Sequence, residues 1–388
     1  MKTEQILFKL LRFGLDKNPP SKEQLEEIKQ SLSEDKLKRL FVLAKKHDLS
    51  YCVCKALIDC GLVKEEDEAY NGLLKEINLC IYRHENQNYQ YERIKQTLLD
   101  NNIDFIPLKG AIIREFYPQG AQRSSCDVDI LVKTSQVEQA VDLLCQQLGY
   151  TSDKKRGFHD YNISAPEVNI ELHFSLRENL KNIDGVLDGV WDYASKVGNT
   201  CEYSLSNEFF LFHIVAHASY HFLGGGCGIK PIVDLFVLKD KLNIDEKTFG
   251  KLLEETSLTT FYNGLKQLVE VWFYDEQANQ LCEKMTDYIL RGGVYGVKEN
   301  AIVINQAKSG GRHSYIFSRL FLPYDLLCIR YPILRKHKWL YPFCQIARWF
   351  KLLFSKKLKN AKKEVKINSA ITDKQRESAQ GLLKELGL

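Results

Sequence analysis

The stretch "RSSCDVDILV", from Arg123 to Val132, decides the fold prediction because it sets two aspartates at the head of an apolar run. Asp127 and Asp129 are one residue apart, and residues i and i+2 of a strand point to the same side. Adjacent carboxylates repel each other, so a compensating cation is expected. Hard cations such as Mg²⁺ take oxygen ligands and often share them with substrate phosphates. The stretch therefore predicts a strand that carries a metal site.

A second stretch, "NIELHF" from Asn169 to Phe174, supplies a third acid. Glu171 lies between two apolar residues of an alternating strand, where a lone charge either faces solvent at a sheet edge or joins the aspartates. Three acids on neighbouring strands would form a two-metal site for phosphoryl or nucleotidyl transfer. We therefore predict Asp127, Asp129 and Glu171 as catalytic and metal-ligating residues.

The segment "PLKGAIIREFY" lies just upstream and predicts a phosphate-binding turn. Gly110 falls between a strand and the start of a helix, where free backbone N–H groups and the helix dipole favour an anion. Lys109 and Arg123 would add positive charge. His173 faces the same side as the third acid, and it either contacts the nucleotide or is a hydrogen-bonded structural histidine. We predict Lys109, Gly110, Arg123 and His173 as nucleotide-binding residues.

Helical patterns lie on both sides of this unit. We predict a helical region over residues 1–100, an α/β core over 101–205 and a second helical region over 206–388. Strands are expected at "IDFIPLKG", "DVDILV", "HDYNIS" and "EVNIELHFSL". The predicted fold class is α+β, with a small mixed-sheet core embedded between N-terminal and C-terminal helical segments.

The order "LKG", "YP", "R", "DVDILV" and "IELH" resembles an uncharacterised bacterial nucleotidyltransferase family of the DNA polymerase beta-like superfamily. The resemblance is strongest over residues 103–176 and continues more weakly through "FHIVAHASYH" and "IVDL". It implies that Asp127, Asp129 and Glu171 hold Mg²⁺, with Mn²⁺ as an alternative, and that the Gly110 turn holds a nucleoside triphosphate such as ATP. The superfamily usually has Gly-Ser or Gly-Gly at this turn, whereas this chain has Ala111 after the glycine.

Composition indicates an ordinary globular protein. Charged residues make up 27% of the 388 residues and the net charge of +4 is too small to indicate a nucleic-acid partner. The 11 cysteines include no CxxC pair, so reduced thiols in a cytoplasmic protein are expected. We see no apolar run long enough to span a membrane and no signal peptide pattern at the first residues.

Two further segments have open roles. "HIVAHASYH" spaces His213, His217 and His221 at i+4 steps along a helix, which suits either zinc or, as we prefer, a face that packs on the core and lines its cleft. Residues 335–366 are basic and aromatic, a pattern of helices that lie on anionic membranes or bind RNA. We favour a packed aromatic helix from Trp339 to Phe354, followed by a lysine-rich contact for an acidic partner from Lys356 to Lys366.

The leading prediction is an Mg²⁺-dependent nucleotidyltransferase that uses an NTP donor and a hydroxyl acceptor, which is a small molecule, a sugar, a protein or RNA. One rival is a D-x-D glycosyltransferase that uses a nucleotide sugar, which predicts a larger parallel sheet upstream of Asp127. The other is a degenerate, non-catalytic member of the fold that binds a nucleotide or a protein.

Overall fold

A computed structural model describes residues 1–16, 18–293, 296–355 and 357–388. The first hundred residues are helical, as predicted. Ser21 begins one helix by accepting a hydrogen bond from the Gln24 N–H at 3.2 Å. The longest helix ends before Asn102, whose φ of 54° is incompatible with a continuing helix. The helices are α1 (Thr3–Leu15), α2 (Lys22–Ser31), α3 (Glu34–Lys46), α4 (Ser50–Asp59) and α5 (Tyr70–Asp100).

A five-stranded mixed sheet follows, in the spatial order β1-β2-β5-β4-β3. Strands β2 and β5 are parallel, and every other neighbouring pair is antiparallel. The elements are β1 (Phe105–Pro107), α6 (Gly110–Ile113), β2 (Asp127–Val132), α7 (Val137–Leu148), β3 (Thr151–Arg156), β4 (Asp160–Ala165) and β5 (Val168–His173).

Strand β3 is absent from the sequence prediction, which placed strands only at the other four positions. Its sequence "TSDKKR" contains no apolar residue, and β3 lies at the edge of the sheet. The period-two alternation that identifies half-buried strands is therefore missing.

The remainder of the chain is mostly helical, which confirms the predicted α+β class. Ser206 caps its longest helix by accepting a hydrogen bond from the Phe209 N–H at 3.3 Å. Its first elements are α8 (Lys181–Asp188), β6 (Ala194–Lys196), β7 (Tyr203–Leu205), α9 (Asn207–Gly224), α10 (Lys230–Leu238), α11 (Glu246–Glu255), α12 (Thr259–Phe273) and α13 (Gln280–Gly292). The last are α14 (Lys298–Ser309), α15 (Arg312–Leu320), α16 (Tyr324–Arg330), α17 (Tyr341–Leu353), α18 (Lys357–Ala370) and α19 (Asp373–Leu386).

The alternation along β2 sends its side chains into two different clusters of buried apolar residues. Val128, Ile130 and Val132 pack with α7 and the other strands. Leu131 packs instead in a larger cluster formed with helices from both ends of the chain. Since Asp127 and Asp129 alternate with the first set, they face the side on which those helices lie. The sheet thus forms the floor of a cleft whose walls are helical.

The cysteines and the helices bear on two other expectations from the sequence. All 11 cysteines are free thiols, in agreement with the absence of a disulfide framework. Among the described residues, no helix is long and apolar enough to cross a membrane. The division into three domains stays a prediction, although β1 and α9 begin within a few residues of its boundaries.

Candidate active site

The parallel pairing of β2 with β5 brings the predicted acids together. Asp129 lies directly opposite Glu171, and Asp127 is opposite Asn169 on the same pair of strands. Residues in register on adjacent strands project to the same face of a sheet. The three acids therefore share one face of the sheet at the floor of the cleft.

Asp129 is the buried centre of this group. Its Oδ1 accepts hydrogen bonds from Lys109 Nζ at 3.3 Å and from His173 Nε2 at 2.9 Å. Burial disfavours a charge on Asp129, but the Lys109 ammonium and the His173 hydrogen bond outweigh burial and hold its pKa below the usual range. Asp129 is therefore an ionised carboxylate.

Asp127 and Glu171 are half-buried and differ in their electrostatics. Burial and then repulsion by Asp129 raise the pKa of Asp127, although Ser125 Oγ donates a hydrogen bond to its Oδ1 at 2.8 Å. The hydrogen bond from His173 lowers the pKa of Glu171. The repulsion at Asp127 is the signature of converging carboxylates, which a bound cation would relieve.

His173 bridges two of the acids. Its Nε2 lies 2.9 Å from Asp129 and 3.5 Å from Glu171 Oε2. Burial opposes a charge on the ring, but the hydrogen bonds to these carboxylates outweigh it and raise the pKa of His173 to about 9. His159 stacks on this ring with centroids 5.5 Å apart. His173 is therefore hydrogen-bonded within the acid cluster, and its contact with a nucleotide stays a prediction.

The donor set fits a divalent cation. Among the described residues, ligand atoms of Asp129, Glu171 and His173 all lie within 4.8 Å of one another. Asp127 is outside this closest group but faces the same side of the sheet. Carboxylate oxygens are the ligands that Mg²⁺ prefers, and an adjacent imidazole also suits Mn²⁺. The role of these residues as metal ligands stays a prediction that the chemistry of the donors favours.

The Lys109–Gly110 turn lies between β1 and α6. Lys109 has a positive φ of 39°, an uncommon conformation for a residue with a side chain, and its ammonium reaches Asp129. A Cβ at Gly110 would lie 3.4 Å from Ser125, which is tight but not prohibitive. Helix α6 has only four residues, so any dipole at its start is weak. The turn lies between a strand and a helix, as predicted, and it lines the cleft, while its contacts with phosphate stay a prediction.

Arg123 has partners that the sequence prediction did not assign. Its Nε and Nη2 donate to the two carboxylate oxygens of Asp234 at 2.7 and 2.9 Å, and Nη1 donates to the Ser124 carbonyl. Tyr117 also donates to Asp234 at 2.6 Å. Asp234 on α10 is thus the salt-bridge partner of Arg123. The Arg123 guanidinium is thus committed to fixing a cleft wall, and binding a triphosphate would require it to exchange partners.

The histidines of α9 form another wall of the cleft, and hydrogen bonds link two of them to each other and to Glu178. His217 Nδ1 lies 2.7 Å from Glu178 Oε1, and His221 Nε2 lies 2.9 Å from His217 Nε2. Burial lowers the pKa of His213 to about 3 and that of His221 to about 4, so both are neutral. The three histidines line the cleft, which confirms the preferred interpretation. No zinc cluster involving them is found among the described residues.

Glu178 is a cleft residue that sequence reasoning missed. It is buried, and burial raises its pKa to about 7 against the attraction of Lys109 and His173. It lies in the loop after β5, where no periodic pattern identifies it. Its only signal is its position seven residues after Glu171, on the segment that leads from the acid-bearing strand.

These groups converge on one cleft of about 340 Å³. It is partly open to solvent. The lining combines the acids, Lys109 and Gly110 on the sheet side with residues of α9 and α10 on the helical side. The acids and the Lys109 ammonium thus line the same side of this cleft.

Most of the chain matches one known protein family. The model of a family described as uncharacterised nucleotidyltransferases matches residues 33–274, which include the sheet, the acids and the helices that wall the cleft. Comparisons with curated proteins and with solved structures found no match. Since the match covers more than half of the chain and all of the cleft, the protein belongs to this family of uncharacterised nucleotidyltransferases.

Proposed function

We propose that the protein is an Mg²⁺-dependent nucleotidyltransferase that transfers a nucleoside monophosphate from an NTP to a hydroxyl acceptor and releases pyrophosphate. The observation that carries the proposal is the register of Asp129 against Glu171 on parallel strands, with Asp127 on the same face. Family membership supports nucleotidyl transfer in general. The wider proposal includes descent from the DNA polymerase beta-like superfamily and a cytoplasmic location.

Asp127, Asp129 and Glu171 would hold Mg²⁺, which when bound would offset the charge of the triphosphate and of the reacting oxygens. Lys109 supplies a fixed positive charge at the cleft floor, because its ammonium already lies 3.3 Å from Asp129. The Gly110 N–H is the first of its helix and has no acceptor within that helix, so it can donate to a phosphate oxygen. These groups orient the donor for attack.

In the proposed reaction the acceptor oxygen forms a bond to the α-phosphorus, and the bond from that phosphorus to the bridging oxygen breaks. Pyrophosphate leaves with the bridging oxygen, and the acceptor proton must pass to a base. The carboxylate of Glu178, which is hydrogen-bonded to His217 Nδ1 at 2.7 Å, can take up this proton. Acceptors with suitable chemistry are small metabolites, sugars, protein hydroxyls and RNA ends.

The contacts of Asp129 favour one alternative, a non-catalytic member of the family. Asp129 is already neutralised by Lys109 and His173, an arrangement that also suits a non-catalytic member of the family that binds a nucleotide or a protein. The glycosyltransferase alternative lacks such support. It requires a parallel sheet upstream of β2, whereas the described chain before β2 is helical except for β1, which is antiparallel to it.

The test combines binding and turnover. Calorimetry with ATP, CTP, GTP and UTP, each with and without Mg²⁺, should show metal-dependent binding of at least one nucleotide to the native protein. Asp127→Asn/Asp129→Asn should weaken that binding by about 100-fold or more, because two ligands lose their charge. Asp35→Asn on α3 is the matched control and should bind as the native protein does, since Asp35 is exposed there.

Turnover separates the enzyme from the binding module. Release of pyrophosphate, with transfer of label from an α-³²P NTP to an acceptor fraction, supports the transferase. Binding without release in any acceptor fraction would favour the non-catalytic alternative. Failure of all four nucleotides to bind a folded protein would contradict the transferase and leave a non-catalytic member of the family that binds a protein.

A further inference from the structure

A row of large apolar side chains lies uncovered on the surface near the C-terminal part of the described chain. Between 44% and 88% of the accessible surface of each is exposed. We name this set the apolar stripe, and its members are Trp339, Phe343, Ile346, Phe350, Leu353 and Phe354. The preference for a packed aromatic helix from Trp339 to Phe354 is therefore wrong, because the face expected to be packed is the face that solvent reaches.

The stripe follows one side of α17 and of the short 3₁₀ turn Lys338–Leu340 before it. Its members recur at steps of three and four residues, which places them on one helical face. At its beginning the Trp339 ring meets Phe343 edge-on, with centroids 6.1 Å apart. The apolar surface is thus continuous over about four helical turns.

The opposite side of α17 is fixed to the protein. Gln345 Nε2 donates to the Leu322 carbonyl at 2.7 Å, and Trp349 Nε1 donates to the Leu320 carbonyl at 2.8 Å. Cys344 is buried in a small cluster with residues of α16. These contacts hold α17 with its stripe facing outwards. A continuous row of large exposed apolar side chains indicates an interaction site.

Positive charge is concentrated around the stripe. Residues 335–366 contain eleven of the chain's 54 Lys and Arg residues but only one of its 50 Asp and Glu residues, so the rest of the chain is net negative. Arg335, Lys336 and Lys338 are exposed beside the start of the stripe, and Lys351 and Lys359 are exposed near its end. Lys356, where the lysine-rich contact was predicted to begin, lies outside the described residues.

This combination selects one partner. A second copy of the chain that docked through the same face would bring two positively charged segments together, which repel each other. RNA would use the charges and stack on the aromatic rings, but it offers no apolar layer for Ile346 and Leu353. An anionic lipid surface satisfies both parts, because it has phosphates above an acyl layer.

We propose that the apolar stripe of α17 inserts into the interfacial layer of an anionic membrane, while the flanking Lys and Arg side chains contact lipid phosphates. The helix would lie parallel to the membrane plane without crossing it. This proposal concerns a surface outside the cleft, and it does not depend on the proposed transfer reaction.

The test is sedimentation of the full-length protein with phosphatidylcholine vesicles that contain either no or about one-third phosphatidylglycerol. Binding is expected to the anionic vesicles, to weaken with added salt and to be at least about tenfold weaker with neutral vesicles. Trp339 provides a second readout, since a tryptophan that enters the lipid layer shifts its emission to shorter wavelength. Trp339→Phe should abolish this shift while vesicles still sediment the protein.

Substitutions in the apolar stripe, compared with a control substitution elsewhere on the surface, test whether the stripe is the part that binds the vesicles. Phe343→Ser/Phe350→Ser should raise the lipid concentration for half-binding by about tenfold or more, because two buried rings are lost. Val42→Ser removes an apolar side chain of similar exposure from α3 and should leave binding unchanged. Circular dichroism should show that both variants are folded, as these side chains are exposed. Asp127→Asn/Asp129→Asn, which disables the cleft, should bind vesicles normally.

Three results would overturn the proposal. The first is a native protein that binds neutral and anionic vesicles equally or binds neither. The second is a dimer in sedimentation velocity that Phe343→Ser/Phe350→Ser dissociates, with no binding to lipid. The third is tight binding to RNA that these substitutions abolish, again with no binding to lipid.

Discussion

Glu178 is the residue through which the proposed chemistry can be tested most directly. It is buried, lies 2.7 Å from His217 and has a pKa raised by burial to about 7. If its carboxylate must be ionised to take up the acceptor proton, kcat/KM should rise with pH through about 7. Glu178→Gln should remove this rise and lower kcat by about 100-fold or more.

The pH profile distinguishes proton uptake from a purely structural role of Glu178. Glu138→Gln on α7 alters an exposed glutamate and should keep both the rate and the profile. A Glu178→Gln enzyme that is slower but retains the rise near pH 7 would show that another group accepts the proton.

Arg123 and Asp234 form a buried pair whose loss should affect the whole fold. Asp234→Asn keeps the shape of the side chain but leaves the Arg123 charge in a buried site without its counter-ion. We expect the free energy of unfolding to fall by about 3 kcal/mol, measured by urea denaturation. Glu34→Gln breaks the exposed Lys38–Glu34 pair and should cause no measurable change. Equal effects of the two substitutions would refute a structural role for the buried pair.

Two glycines in helices should respond in opposite directions to alanine. Gly185 in α8 has open space at its Cβ position, so Gly185→Ala should stabilise the protein by about 0.5–1 kcal/mol through helix propensity. A Cβ at Gly292, at the end of α13, would lie 3.1 Å from the Gly226 Cα and 3.2 Å from the Gly225 carbonyl oxygen. Gly292→Ala should therefore destabilise it by about 1–3 kcal/mol. Thermal unfolding of both variants checks the contrast, and a stabilised Gly292→Ala would contradict the close approach.

The elements that could be predicted from the sequence are those whose pattern reports burial on one side. Strand β5 alternates apolar and polar residues, and β2 carries two acids at the head of an apolar run. The edge strand β3 buries no apolar face, so it has no such signal. For α17 the aromatic and basic residues predicted a helix, which the structure has, but a sequence pattern carries no information on whether another element covers its apolar side.

In the candidate site, too, contacts between distant elements could not be predicted from the sequence. The likeness of "DVDILV" and "IELH" to a known arrangement identified the acids, and the parallel register of β2 and β5 places them together. The pairing of Arg123 with Asp234 and of Glu178 with His217 joins residues 111 and 39 positions apart, respectively. Such contacts depend on how α9 and α10 pack over the sheet, which local patterns do not encode.

For the whole molecule, buried histidines should make stability depend on acidity. Burial lowers the pKa of His47 to about 4, of His213 to about 3 and of His221 to about 4. Between about pH 6.5 and these values the unfolded chain takes up protons that the folded protein does not, so stability falls as pH falls. His173 has the opposite effect, because its pKa is raised to about 9 in the folded protein. The stability that it contributes is lost as pH rises from about 6.5 to 9.

His47 allows this dependence to be measured for one group. His47→Gln keeps a donor for the Leu290 carbonyl, which His47 Nε2 meets at 3.3 Å. Between pH 6.5 and 4 the variant should reduce the slope of unfolding free energy against pH by up to about 1.4 kcal/mol per unit. His313→Gln, at an exposed position, should leave the slope unchanged. An unchanged slope in His47→Gln would mean that His47 is protonated in the fold.

The buried pair between Arg123 and Asp234 also constrains how the chain is made. During synthesis the acid-bearing strands leave the ribosome first, while Asp234 follows on α10 more than a hundred residues after its partner. A nascent chain that has completed β5 therefore exposes an unpaired guanidinium and a sheet face that still lacks its helical cover. Helix α10 must be translated before the helical side of the cleft can form. A nascent chain should therefore bind a ligand in the cleft only after α10 has emerged from the ribosome.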